Sequence, residues 1–212
     1  MNIHVENTIK ALKNNNMEAF YFENSKEALE KLVSVISKDK VTAFGGSVTV
    51  NQTGIYQYLK ENGYNLLDRF EKGLTREETT EIFKKSFFAD YYVTGCNAIT
   101  ENGCLFNVDG NGNRVAAMLF GPKEVFVIAG VNKIVKDLEE AKERVRKIAA
   151  PLNTKRLSCE TYCKTKGECV AMGEEMGYGC ASDQRICADY VLMSRQRNDR
   201  IKVFLINEEL GY

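Results

Sequence analysis

The sequence of 212 residues predicts an α/β fold: an open, mainly parallel sheet with helices on both faces and a cysteine-rich insertion before the last strand. Three observations predict it. Short β-rich runs alternate with amphipathic helices as far as about residue 150, the pattern of consecutive βα units. Loops rich in glycine and asparagine follow several of those runs, at the edge where an open α/β sheet binds ligands. After Pro151 the hydrophobic period is lost for about 45 residues, and a strand-like run returns only at 201–206.

The first element is an N-terminal helix carrying His4. EAFYF at 18–22 reads as a strand, and Ser25 as the N-cap of a helix through about Ile36 with Ala28, Leu29, Leu32, Val33 and Ile36 on one face. A strand at 41–44 runs into Gly45-Gly46-Ser47 and then a helix holding Ile55, Tyr58 and Leu59. YNLL at 64–67 reads as a further strand. Thr75 with Glu78 three residues on is a capping-box signature for the helix carrying Ile82, Phe83 and Phe87. Strands are expected at 91–94, 104–108 and 125–129, and Asp137 opens a charged helix with Leu138, Ala141, Val145 and Ile148 in a single stripe. The expected organisation is an α/β body over 1–150, a cysteine-rich segment over 151–200 and a final strand within 201–212 that rejoins the sheet.

Composition removes whole classes of function. Lys plus Arg and Asp plus Glu both number 29, so no broad cationic field exists to hold nucleic acid. No apolar run approaches the roughly 20 residues of a membrane-spanning helix, so no membrane role is expected. The opening MNIHVENTIKALKNNN has neither an export signal nor an organelle presequence, which points to a cytoplasmic protein. In a reducing compartment seven cysteines are thiols, metal ligands or catalytic groups rather than a disulfide frame. The single histidine, His4, reads as a surface residue, and its isolation removes Ser-His-Asp triads and His-based zinc sites.

Cys159, Cys163, Cys169, Cys180 and Cys187 fall in a segment with little apolar material of its own. Such a segment needs a cross-link or a metal to supply its folding free energy. Zinc sites favour paired C-x₂₋₄-C ligands, but the gaps here are 3, 5, 10 and 6 residues, so only the first fits. Irregular all-cysteine spacing suits an iron–sulfur cluster better, with zinc as the alternative and unligated thiols as the third reading. Four irons need at most four thiolates, so a [4Fe-4S] group is assigned Cys163, Cys169, Cys180 and Cys187, with Cys159 the spare or alternate. Cys96 and Cys104 lie far upstream and read as small core or loop residues.

Gly45-Gly46-Ser47 follows one strand and precedes a helix, a plausible anion cradle and equally a plain tight turn. Thr94-Gly95-Cys96-Asn97 follows another strand, and Asn113-Arg114 and Asn132-Lys133 add amide donors and cations. Lys133 is expected near a helix start, where a lysine opposes the helix dipole unless an anion shares the site. Asp109 and Glu101 are the acids available for proton transfer.

The run TGCNAITENGCLFNVDGNGNRVAAMLFGPKEVFVIAGVNKIV, preceded by FGGSVTV and followed by AAPLNTKRL, strongly resembles the LUD family, the lactate-utilisation domain proteins. The tail GCASDQRIC and the ending INEELGY resemble the branch with a cysteine-rich, iron–sulfur-type extension. The resemblance implies a fold similar to the sugar-phosphate isomerases and CoA transferases. It implies a pocket built from Gly45, Gly46, Ser47, Thr94, Gly95, Asn97, Asp109, Asn113, Arg114, Asn132 and Lys133. It also ties the chain to oxidation of 2-hydroxy acids such as lactate, in company with iron–sulfur redox partner proteins. The leading expectation is an iron–sulfur protein acting on, or relaying electrons for, a small carboxylate, as an oxidoreductase or lyase. Two rivals stand beside it: an isomerase- or transferase-like enzyme with a purely structural cluster, and a non-catalytic zinc-stapled subunit.

Overall fold

In the computed structural model, which describes residues 1–212, ten strands form: β1 (Glu18–Phe22), β2 (Thr42–Phe44), β3 (Leu66–Leu67), β4 (Tyr91–Gly95), β5 (Ala98–Thr100), β6 (Leu105–Asp109), β7 (Glu124–Gly130), β8 (Ile134–Val135), β9 (Asp189–Met193) and β10 (Ile201–Ile206). Six of them make a wholly parallel sheet in the order β1-β10-β7-β4-β2-β3. The near-continuous apolar runs of β7 and β10 mark strands covered on both faces, and both are interior. Alternate residues divide between two cores: Val125, Val127 and Ala129 face one, Phe126 and Ile128 the other. The last strand does rejoin the sheet, between β1 and β7.

Helices cover both faces. On one side α1 (Ile3–Asn14) buries Val5 and Leu12; on the other α2 (Ser25–Val35), α3 (Val48–Gln52) and α4 (Ile55–Glu61) bury Leu32, Val50 and Leu59. The N-cap of α2 is Asn24, not the expected Ser25; its side chain accepts from the Glu27 N–H at 3.0 Å. Either residue type caps well, so local sequence did not separate them. The capping box of α5 (Arg76–Lys85) forms as expected: Thr75 Oγ1 accepts from the Glu78 N–H at 3.1 Å, and Glu78 accepts from the Thr75 N–H at 2.8 Å.

Two departures from the expected layout shape the site. The strand near 104–108 does not join the parallel sheet; β5, β6, β8 and β9 form a second, mixed sheet in the order β8-β5-β6-β9. Every residue of the short β5 and β6 is buried, and runs this short carry no signal that distinguishes one sheet from another. Further on, α6 (Asn113–Leu119) and α7 (Leu138–Arg144) follow β6 and β8, and α7 passes through a π turn at Val145–Ala149 into α8 (Ala150–Arg156). The wider π turn rotates the expected stripe: Ala141 and Val145 stay buried, while Ile148 is turned out to solvent. Residue 150 therefore lies inside a continuous helical stretch. The cysteine-rich segment carries regular structure of its own, α8, α9 (Tyr162–Lys166) and β9.

Candidate functional site

Two strands leave the parallel sheet for the second one at the same corner. β4 passes through Cys96-Asn97 into β5, and β7 passes through a single 3₁₀ turn, Val131–Lys133, into β8. Between those crossings, at the carboxyl ends of β2, β3, β4 and β6, lies a cavity of about 260 Å³. Gly46, Ser47, Gly95, Asn97, Asp109, Asn113, Arg114 and Lys133 line it.

Arg114 organises the floor. It is buried, and its guanidinium donates to Asp109 Oδ1, Gly95 O, Asn107 Oδ1, Asn97 Oδ1 and Val108 O at 2.7–3.2 Å. Asp109 is equally committed: its Oδ1 lies 2.6 Å from Arg114 Nη2, and its Oδ2 accepts the backbone N–H groups of Arg114 and Val115 at 3.1 Å. The pair positions loops and begins α6; neither side chain is left to move a proton or grip a ligand.

Lys133 differs. It ends the 3₁₀ turn before β8 rather than starting a helix, and is 3% exposed. Its Nζ donates to Thr49 Oγ1 at 2.8 Å and to the Cys96 carbonyl at 3.0 Å, with no acidic partner. Burial pushes its pKa down to about 8. Ser47 caps α3, accepting from the Val50 N–H at 3.2 Å, and the opening residues of that helix line the cavity beside Lys133.

Not every expected residue reaches the cavity. Gly45 and Thr94 lie beneath its lining, where the missing Cβ of Gly45 makes room for Thr94 Oγ1. Asn132 holds the carboxy-terminal loop, accepting from the Leu210 N–H at 3.2 Å. Glu101 is elsewhere on the surface, 2.8 Å from His4 Nδ1, so it is no proton carrier for this cavity. Sequence reasoning missed Arg69, Asn153, Arg156 and Tyr212. Arg69 stands two residues past β3, and the strand-end rule that selected the other loops would have selected it. Asn153 and Arg156 lie on α8, beyond the expected domain break.

The cysteine segment packs against this cavity. Cys163, Cys169, Cys180 and Cys187 line one mostly apolar pocket, while Cys159 lies outside it. Burial, then the neighbouring thiols of Cys163, Cys169 and Cys180, push the Cys187 pKa up to about 12. No three His, Cys, Asp or Glu side chains converge on one metal-ion position. Arg146, carried by the π turn, donates to the carbonyls of Glu174 and Glu175 and steadies the 170s loop. Ile186 lines both the cysteine pocket and the anion cavity. Cys96 and Cys104 are buried outside the pocket, as a core reading expects, and Cys96 also lines the cavity.

A DUF162 family protein from Deinococcus radiodurans has a similar fold, with a TM-score of 0.54 at 11% identity over 96% of this chain and 96% of that one. Ribose 5-phosphate isomerases are more distant. That of Methanocaldococcus jannaschii gives a TM-score of 0.37 at 14% identity, over 90% of this chain and 82% of its own. That of Plasmodium falciparum gives 0.35 at 12%, over 83% and 79%. No curated protein matches the chain. No helix is long and apolar enough to cross a membrane. The LUD domain matches residues 5–206, nearly the whole chain, and the protein belongs to the LUD domain family.

Proposed function

We propose that this LUD domain protein is a cytoplasmic iron–sulfur protein of the lactate-utilisation type, in which a small carboxylate binds beside a cluster held by Cys163, Cys169, Cys180 and Cys187. The observation that carries the reading is that these four thiols share one pocket, separated from the cationic cavity by Ile186. A single zinc ion would need its thiolates about 2.3 Å from one centre. Four cysteines at irregular spacing around one pocket suit a polynuclear iron–sulfur group better than paired zinc ligands. Such a group, when bound, supplies one-electron transfer, or Lewis acidity where an iron lacks a protein ligand.

The chain's own residues do the rest. Lys133 presents a buried ammonium to the carboxylate, beside Ser47 and Thr49 at the start of α3. Arg114 and Asp109 hold the Asn97 and Val108 loops in place around it. The cysteine pocket reaches the surface through the exposed Tyr162, Val170 and Tyr178, where a redox partner protein would dock. The isomerase-like rival finds less support, because Asp109 is committed to Arg114 and Glu101 lies away from the cavity.

Electron paramagnetic resonance of anaerobically purified, dithionite-reduced protein tests the reading. A cluster signal that shifts on addition of excess L-lactate or L-malate is the expected result. A signal indifferent to both acids would uncouple the cavity from the cluster and overturn it.

A further inference from the structure

Four cationic side chains line the cavity, Arg69, Arg114, Lys133 and Arg156, against one acidic side chain, Asp109. In a chain of zero net charge this is a local concentration. Asp109 is spent on Arg114, so the other three have no counter-charge. Lys133 meets two neutral oxygens and keeps its third N–H unpaired. Arg156 meets only Asn153 Oδ1 and Tyr212 Oη. Arg69 makes no hydrogen bond; its guanidinium lies over the Phe83 ring at 4.4 Å and the Phe70 ring at 5.4 Å, within 3.7 Å of where a Cβ on Gly46 would stand.

Lys133 is buried and Arg69 half-buried without an acidic partner, while Arg156 is exposed; a cation withdrawn from water without a partner is costly, and like charges around one cavity repel each other. A monocarboxylate compensates only one of them. Aromatic packing on Arg69 fixes its fork in advance, so little side-chain freedom is lost when a ligand arrives. Resting on the reading of this cavity as the anion site, we infer that its ligand is a small carboxylic acid bearing a second anionic group, one group at Lys133 and the other at Arg69. A dicarboxylate and a phosphorylated hydroxy acid share that chemistry. Gly46 and Arg69 face each other in the cavity lining, where the second group would sit, and the exposed Arg156 also lines it.

Calorimetric titration of the full-length, anaerobically purified protein with L-lactate, L-malate and 3-phospho-D-glycerate tests this and separates the two sources of the second charge. At least one dianion is expected to bind about tenfold or more tightly than L-lactate. Arg69→Gln should cost that dianion about tenfold while leaving lactate within about twofold, and Arg69→Lys should restore most of the loss. Equal affinity for lactate and both dianions, or an equal loss for all in an R69Q protein folded by circular dichroism, overturns the inference and leaves the anion cavity standing. No binding by any of the three, with iron and sulfide present, overturns the inference and the cavity reading together but not the cluster.

Discussion

The backbone N–H of Ala188 donates to the carbonyl oxygen of Asp109 at 2.9 Å. That bond continues the pairing of β9 with β6 and places Cys187 next in the chain to the residue bonded to Asp109, the cavity's acidic residue. Ile186, one residue further back, lies 3.1 Å by its Cα from the Cβ position of Gly110, so any side chain at 110 would crowd the wall between the two pockets.

The Asp109–Arg114 pair predicts a large stability effect. Asp109→Ala leaves a buried guanidinium without its charge partner, and breaking a buried pair in this way costs about 3–5 kcal/mol. Urea denaturation should show that loss, with part of it recovered in a double variant that also carries Arg114→Met. A D109A protein as stable as the parent would remove the pair from its organising role.

Lys133 predicts opposite pH trends for binding and for stability. Its folded pKa of about 8 lies below its usual 10.5. Anion affinity should therefore fall as pH rises through about 8, because the ammonium is lost from the cavity. Between pH 8 and 10.5 the unfolded chain still holds this proton while the ligand-free folded chain does not, so the Lys133 contribution to stability rises with pH there. Titrations from pH 7 to 9.5 on the parent and on Lys133→Met check both trends: the variant should bind weakly at every pH and lose this contribution to each slope.

Gly45 predicts a packing effect beneath the site. An added Cβ would overlap Thr94 Oγ1 and lie 3.0 Å from Arg114 Cγ. Gly45→Ala should cost about 1–3 kcal/mol by overpacking, and Thr94→Ala in the same chain should recover much of it. The readout is the denaturation midpoint.

The parallel sheet was legible because its signals are local. Apolar runs mark β1, β7 and β10, and Thr75 with Glu78 marks α5. The strand-end rule points to the loops of Ser47, Asn97, Asn113 and Lys133, and the family resemblance adds Asp109; all five line the cavity. What the sequence hides is partnership. β5 and β6 are short and buried like the sheet strands and pair elsewhere, the π turn at Val145–Ala149 breaks a stripe that reads as regular, and Arg114 reads as a ligand cation until its acceptors are seen. Arg69, two residues past β3, was within reach of the strand-end rule, but nothing around it in sequence shows that it has no hydrogen-bond partner in space.

Iron and acid-labile sulfide per chain, measured on anaerobically purified protein with and without single cysteine changes, test the central claim most directly. About four of each are expected, kept in Cys159→Ser and lost in Cys163→Ser and Cys187→Ser. A parent chain that binds one zinc, or that holds neither iron nor sulfide while staying ordered through residue 187, would contradict it.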